Sequence, residues 1–431
     1  MKTIPARSTN RRDFVKLVTG GVIGGLTLLS VPACSNARYV IADNQPISPQ
    51  DEKFWKVVKE QFPIIKNKIW MNNGTVGPSP YVVQEAMFVK EAEVNAHGEY
   101  GGYEGVRKKL GKLINCHEDE ISLTSNVTNG INIIAQGMKL KKGDEVILTT
   151  HEHIGNAVPW LGRARRDGIV IKFAELGKNA DDTLNKINDK ITSKTRALAI
   201  PHQTCTQGQV LPGKEISRLG HDKGLWVMLD AAHPVGEFNV DVQDLDCDFY
   251  VTCGHKWMMG PKGTGFLYMK KSMYDVVDPI FVGAGGANDW NYEIGIDKWV
   301  DTGHRYDYTT RSAALYVGLE AAADFLLNIG MENIGGRGKA LSTHLMNGIK
   351  DIPNVEMLTP FEDKSRASLV GFKMKNIEYG KLQGWLMENY KIRVRGVPES
   401  GLNSLRISTH IYNDFDDVNK LIEAVEKASK L

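Results

Sequence analysis

Two residues of this chain combine a reactive type with surroundings that suit chemistry: Lys256 and Asp230. Lys256 follows the apolar run Phe249, Tyr250, Val251 and the segment Cys253-Gly254-His255, and Trp257, Met258 and Met259 come directly after it. A lysine among aromatic and thioether side chains at the end of a buried strand loses hydration. That loss favours the neutral amine, which can attack a carbonyl carbon and form an imine. A lone lysine at a strand end more often carries its ammonium out to water on a buried stem. What sets Lys256 apart is a second motif upstream, where Leu225, Trp226, Val227, Met228 and Leu229 lead to Asp230-Ala231-Ala232-His233. This puts an acid at the carboxyl end of an expected strand, where open α/β sheets gather their ligands.

An aspartate after one strand and a lysine after the next resembles the fold type I pyridoxal 5'-phosphate (PLP) enzymes. The stretch His255 to Tyr268, HKW-x-x-GPKG-x-GFLY, resembles the aminotransferase class V family. That family includes cysteine desulfurases and isopenicillin N epimerase-like proteins, and the stretch is most similar to the epimerase-like branch. The resemblance runs through the chain after its first seventy residues. It implies fold type I: a mostly parallel sheet flanked by helices in a large PLP-binding domain, with a smaller α+β C-terminal domain.

The same resemblance implies roles. Lys256 is the cofactor lysine and the base, with Lys262 of the turn Gly260 to Gly265 as the weaker candidate for that lysine, Cys253 and His255 stand beside Lys256 in the cofactor site, and Asp230 keeps the pyridine nitrogen protonated. In Glu152-His153-x-x-Asn156-x-Val158-Pro159-Trp160, His153 stacks on the ring. Thr124 to Asn132 reads as a strand end running into a helix, and a helix start offers free N–H groups and a positive dipole end to a phosphate. Val127 and Thr128 take that role in the family's pattern. In Arg406-x-Ser408-x-x-x-Tyr412-Asn413, Arg406 clamps the substrate α-carboxylate with its planar fork. Asn73, in Trp70 to Pro78, reaches the substrate pocket. Cys205 stands where relatives carry Asn or Ser near the cofactor's 3-oxygen, and His233 is the other candidate for that contact. Thr310, in Arg305-Tyr306-Asp307-Tyr308-Thr309-Thr310, reaches the phosphate of the partner subunit in a homodimer, although Thr309 replaces the usual glycine.

The implied substrate is an amino acid attacked at Cα, with Lys256 moving the Cα proton. Return of that proton makes an aminotransferase or an epimerase, the main expectation; loss of a β-substituent makes the alternative, a C–S or β-lyase. Desulfuration needs a nucleophilic thiol on the loop before the arginine strand, and residues 391–405 contain no Cys. A different class, an exported binding protein that kept the fold but lost catalysis, is opposed by the presence of Lys256, Asp230 and Arg406 together. A dinucleotide enzyme is opposed by the lack of GxGxxG after the first strand.

The 431 residues are enough for two domains, and 42% apolar with 24% charged residues is ordinary globular composition. The net charge of +2 includes +4 in residues 1–33, leaving −2 for the rest, which argues against a nucleic-acid partner. The five cysteines have no CxxC spacing, and His151 and His153 are two apart, where a helical metal pair needs four; no metal site is expected. Residues 1–34 resemble a twin-arginine export signal: Asn10-Arg11-Arg12-Asp13-Phe14, then a glycine-rich apolar segment from Leu17 to Val31, then Val31-Pro32-Ala33-Cys34. That segment is shorter than the roughly 20 residues that span a bilayer. The expected location is the periplasm; the segment permits either plain cleavage after Ala33 or a lipid on Cys34, and in the second case that lipid is the one membrane contact beyond the signal.

These side chains must be positioned by alternating strands and helices, the pattern of a doubly wound sheet. Strands are expected at Ile121 to Leu123, Glu145 to Thr150, Ile169 to Ala174, Arg196 to Pro201, Leu225 to Leu229, Asp248 to Thr252 and Gly265 to Met269. The expected division is an arm over 35–70, a large domain over 71–310 and a small domain over 311–431. The small domain holds a helix from Ala313 to Leu327, a strand from Leu369 to Met374 and a helix from Asp414 to the end.

Overall fold

A computed structural model describes residues 48–431 apart from Ala284 and Ile294; the expected export signal, Cys34 and the first part of the arm lie outside the described residues. The centre is a seven-stranded sheet of β1 (Ile121–Thr124), β2 (Glu145–Thr149), β3 (Val170–Ala174), β4 (Thr195–Pro201), β5 (Trp226–Asp230), β6 (Phe249–Cys253) and β7 (Gly265–Met269). Each lies within one residue of its sequence expectation. The spatial order is β1-β7-β6-β5-β4-β2-β3, and β7 alone runs antiparallel to its two neighbours.

The inner strands β5, β6 and β7 read as nearly unbroken apolar runs because both faces are covered, whereas the edge strand β3 is largely exposed. Successive side chains point to opposite faces, and the two cores divide accordingly. Leu198, Ile200, Val227, Leu229 and Tyr250 enter one core; Ala197, Ala199, Met228, Phe249, Val251 and Cys253 enter the other. The second core also takes Val127, Ile131 and Ile134 of a helix over Val127–Gly137, and this pairing brings the end of β1 beside the ends of β5 and β6.

The C-terminal part holds an antiparallel sheet of β8 (Val355–Met357), β9 (Leu369–Met374), β10 (Arg395–Val397) and β11 (Ser404–Ser408), in the order β8-β9-β11-β10. Helices over Met331–Ile349, Tyr379–Tyr390 and Phe415–Ala428 close a core of its own. The helix Ala313–Ile329 packs mainly on Tyr81–His97 and Val106–Ile114, which belong with the central sheet. The chain then bends by 78° at Gly330 into Met331–Ile349.

The described part of the arm joins both parts, with Phe54, Trp55 and Val58 of its helix in the first core of the central sheet and the segment after the helix on the C-terminal part. Its helix is Glu52–Lys59, capped by Asp51, and Ile69–Trp70 pairs in parallel with Ile392–Arg393. Asn72 bridges Ser408 and Met71 enters the C-terminal core, so the turn that follows is fixed against β11 on one side. On the other side Gly77 N–H donates to the carbonyl of His255 at 2.7 Å, and a Cβ on Gly77 would lie 2.2 Å from the carbonyl oxygen of Lys256. Only glycine permits that approach.

Candidate active site

A cavity of about 400 Å³ opens where these elements meet, a size typical of small-molecule pockets. Its wall includes Val127, Thr128, His153, Asp230, Cys253, His255, Lys256 and Arg406, eight of the residues selected from the sequence. Gly74, Thr75, Asn126, Ala232 and Arg395 complete it. A larger cleft of about 820 Å³ lies between the arm and the last helix; it holds the Lys59 ion pairs with Asp414 and Asp417 and none of the selected residues.

Lys256 follows the end of β6 in a turn closed by Met259 N–H donating to its carbonyl. Met259 has φ 56°, a left-handed conformation that a methionine holds only where its surroundings enforce it. Lys262, the weaker candidate for the cofactor lysine, is not in this cavity: its Nζ donates to the Gly77 carbonyl and to Ser79 Oγ, which makes it a strap between two loops.

Asp230, 4% exposed, ends β5. Its Oδ1 accepts from Ala232 N–H at 2.9 Å. Burial pushes its carboxyl up, against the pull of that hydrogen bond and of the Lys256 charge. A cation placed beside it would hold it ionised. Behind it, Glu152 is pushed up to about 8 by burial while accepting from Thr149 N–H, Thr149 Oγ and Asn156 Nδ2.

His153 caps the helix Ile154–Asp167 by accepting from Gly155 N–H through Nδ1 at 3.0 Å, so any proton of its neutral ring sits on Nε2. Burial, then the charges of Lys256, Arg395 and Arg406, bring it down to about 4, so the imidazole is neutral and able to lie flat on a ring. Asn126 caps the helix Val127–Gly137 through Asn129 N–H, while the N–H groups of Val127 and Thr128 meet no acceptor among the described residues. Those two free donors at a dipole's positive end fit a phosphate.

Arg406, 2% exposed, donates from Nη1 to the Cys205 carbonyl at 2.8 Å and from Nη2 to Thr75 Oγ1 at 2.9 Å. Among the described residues no carboxylate forms an ion pair with it. Burial first, then the charge of Arg395, lower it to about 10. A buried guanidinium without a counter-ion is a seat for a substrate carboxylate.

Four selected residues lie off the wall. Cys205 supplies its carbonyl to Arg406, and burial raises its thiol to about 11. His233 accepts from Trp257 Nε1 through Nδ1 at 3.0 Å, which leaves the proton on Nε2, a buried donor without a partner among the described residues. Its Cε1 would lie 3.1 Å from a Cβ on Gly74, so the ring stands directly behind the wall. Asn73 is fully buried behind the turn, where its Oδ1 accepts from Tyr412. Thr310 is exposed and away from this chain's own cavity. Sequence reasoning missed Arg395: only the strand register shows that it stands opposite Arg406.

The free donors of Val127 and Thr128, the buried acid at Asp230, the neutral His153, the unpartnered His233 Nε2 and the amine of Lys256 fit the phosphate, ring nitrogen, ring face, 3-oxygen and aldehyde of PLP in turn. Known proteins agree. A family model described as aminotransferase class-V matches residues 85–421. A probable cysteine desulfurase of Methanothermobacter thermautotrophicus is 28% identical over 395 residues, covering 86% of this chain and 97% of the relative. Two solved structures are similar at 26% identity and cover 85% of this chain. One is a C-DES variant with glycine covalently linked to the PLP cofactor (TM-score 0.79, 98% of that chain). The other is the cystine C–S lyase C-DES in complex with its reaction product cysteine persulfide (TM-score 0.78, 99% of that chain).

Proposed function

This chain belongs to the aminotransferase class-V family and is a PLP-dependent enzyme of fold type I, and from that premise we propose that it is a C–S lyase acting on an amino acid with sulfur on Cβ. The observation that carries the reading is the similarity, over most of the chain, to proteins that break C–S bonds. The aminotransferase or epimerase expectation has no such support and gives way to its alternative. The relatives' desulfurase name is not carried over whole, because the loop before β11 presents Glu399 and Ser400 and no thiol. The nearby thiols of Cys205 and Cys253 are buried, and burial disfavours the thiolate of each. A lyase whose sulfur departs on the leaving group needs no protein thiol.

When bound, PLP supplies a ring that takes up the electron pair left at Cα. The chain's residues do the rest. Arg406 holds the α-carboxylate, Lys256 Nζ takes the Cα proton, and Asp230 keeps a proton on the ring nitrogen. His153 fixes the ring plane, and the Val127 and Thr128 N–H groups hold the phosphate. The Cβ–S bond breaks with its pair on sulfur, and the three-carbon fragment takes up water to give pyruvate and ammonium. From L-cystine the sulfur product is cysteine persulfide. The test is a panel of L-cystine, β-chloro-L-alanine and L-alanine with a 2-oxo acid, assayed for pyruvate, a new amino acid and racemised substrate. Pyruvate with ammonium from the first two supports the reading; a new amino acid made from L-alanine and the 2-oxo acid, or racemised substrate, with no ammonium released from L-cystine overturns it.

A homodimer belongs to the same proposal. Thr310 is exposed, and so are Trp290 and Tyr292 on the hairpin of Ala287–Asn291 and Gly295–Trp299. Light scattering at a monomer mass would remove it. Export through the N-terminal signal is proposed on the sequence alone, and finding the full-length protein only in the cytoplasmic fraction would end that part.

A further inference from the structure

Glu237, in the turn after β5, and Gln203, just after β4, are both buried and joined by one hydrogen bond: Glu237 Oε1 accepts from Gln203 Nε2 at 3.3 Å and from Ser368 N–H at 2.7 Å. Each also keeps a buried oxygen without a partner among the described residues, Oε2 of Glu237 and Oε1 of Gln203. Turning the amide over does not help. Gln203 Nε2 also donates to the Gly208 carbonyl at 3.4 Å, so a flipped amide would set its oxygen against two acceptors. A single proton resolves both vacancies: an un-ionised Glu237 carries an O–H at Oε2, and Gln203 Oε1 accepts it. Each buried acceptor left alone costs about 1–3 kcal/mol. Burial acts in the same sense, pushing the carboxyl up to about 8 against those hydrogen bonds and the Arg406 charge.

The pair stands between the two elements that hold Arg406. Gln203 begins the loop whose Cys205 carbonyl takes Arg406 Nη1, and Ser368 leads into β9, where Gly371 is the register partner of Arg406. Loop and strand are pressed together: a Cβ on Gly208 would lie 2.5 Å from the Leu369 carbonyl oxygen, and one on Gly371 would lie 2.9 Å from Gln207 Cα. Arg406 is the charged group that acts on Glu237, and no ion pair joins the two among the described residues. On the neighbouring elements burial keeps His202 and His233 neutral and raises the Cys205 thiol to about 11, while Arg337 is paired with Glu52. An ionised Glu237 would compete with a substrate anion for the field of Arg406; a neutral one does not.

We propose that Glu237 is a positioning residue that works as an un-ionised acid: paired with Gln203, it fastens the Cys205 loop to β9 and leaves the substrate α-carboxylate as the counter-ion of Arg406. This rests on PLP binding and on Arg406 as the carboxylate seat, and not on the C–S lyase reading. The test titrates PLP-loaded enzyme with L-alanine, which has no β-substituent to lose, by the change in the cofactor's visible absorbance at about pH 6.5 and about pH 9. Glu237→Gln offers the donor and acceptor of the un-ionised acid and never ionises, and the cofactor's own titration is common to both proteins. The two should bind alanine alike at the lower pH, and Glu237→Gln should bind it tighter by about 10-fold at the higher, the order of one hydrogen bond to a charged group. Glu237→Met, which offers neither donor nor acceptor, should bind more weakly than Glu237→Gln at both. In the infrared difference spectrum between the unaltered enzyme and Glu237→Gln at the lower pH, the C=O stretch of a carboxylic acid should belong to the unaltered enzyme. A Glu237→Gln variant that binds more weakly at the lower pH, or does not fold there, shows that an anion is needed and overturns the proposal. Matched affinities of the unaltered enzyme and Glu237→Gln at both pH values, or no carboxylic acid band, overturn it as well.

Discussion

The cofactor-facing and substrate-facing walls of the cavity are held by different means. Asp230 and Lys256 stand at or just past the ends of neighbouring parallel strands, and their backbones are tied locally, His202 N–H to the Asp230 carbonyl and Met259 N–H to the Lys256 carbonyl. Arg406 and Arg395 are held from a distance: by Thr75 of the arm turn, by the Cys205 carbonyl after β4, and by Glu399 on a loop pinned to Thr150. The first wall is a property of the central sheet. The second exists only when the arm, the sheet and the C-terminal part are assembled, so substrate choice can change there without disturbing the cofactor.

Breaking the first wall should have the largest effect. Lys256→Ala should lower turnover by about 1,000-fold or more through loss of the proton-transferring amine, and should abolish borohydride trapping of the cofactor. Turnover near that of the unaltered enzyme would show that another group moves the proton. Breaking the second wall should be milder and of another kind. Arg406→Ala should cost about 2–4 kcal/mol, read mainly as a raised KM, because a buried ion pair with the substrate is lost while Lys256 and Asp230 keep their places. A fall in kcat with unchanged KM would contradict the division.

The seam between the walls gives the smallest effect. Glu237, fully buried, accepts from Ser368 N–H at 2.7 Å and from Gln203 Nε2, and burial raises it to about 8. Its folded value lies above the unfolded one, so the folded state keeps a proton that the unfolded state has lost. Stability from this group is full below the ordinary carboxyl range and declines as pH rises from about 4 through about 8. Glu237→Gln should therefore flatten part of the fall in Tm between about pH 5 and 8, leaving the share of Glu152, which is raised to the same value. An unchanged slope would mean that the seam does not titrate.

Much of the first wall was legible in the sequence, because it sits where local pattern meets fold. Buried parallel strands are continuous apolar runs, so their ends, and with them Asp230 and the Lys256 turn, could be located from hydrophobicity alone. The second wall was legible only in part. Arg406 was found through a motif, but Arg395 lies in Ile392-Arg393-Val394-Arg395, where nothing local separates one arginine from the other. Lys262 shows the reverse limit. Its setting near Lys256 made it a candidate, and only the approach of the arm turn revealed that its amine is committed to Gly77 and Ser79.

By itself the sequence determined the strands, the acid and amine at their ends, and the caps that leave two N–H groups free, since each depends on neighbours within a few residues. Tertiary structure decided which side chains share a cavity: the register that sets Arg395 against Arg406, the partner that fixes the proton on His233, and the arm turn pressed onto Lys256. Those contacts join residues up to several hundred positions apart, and they are chosen by packing between surfaces that no local pattern encodes.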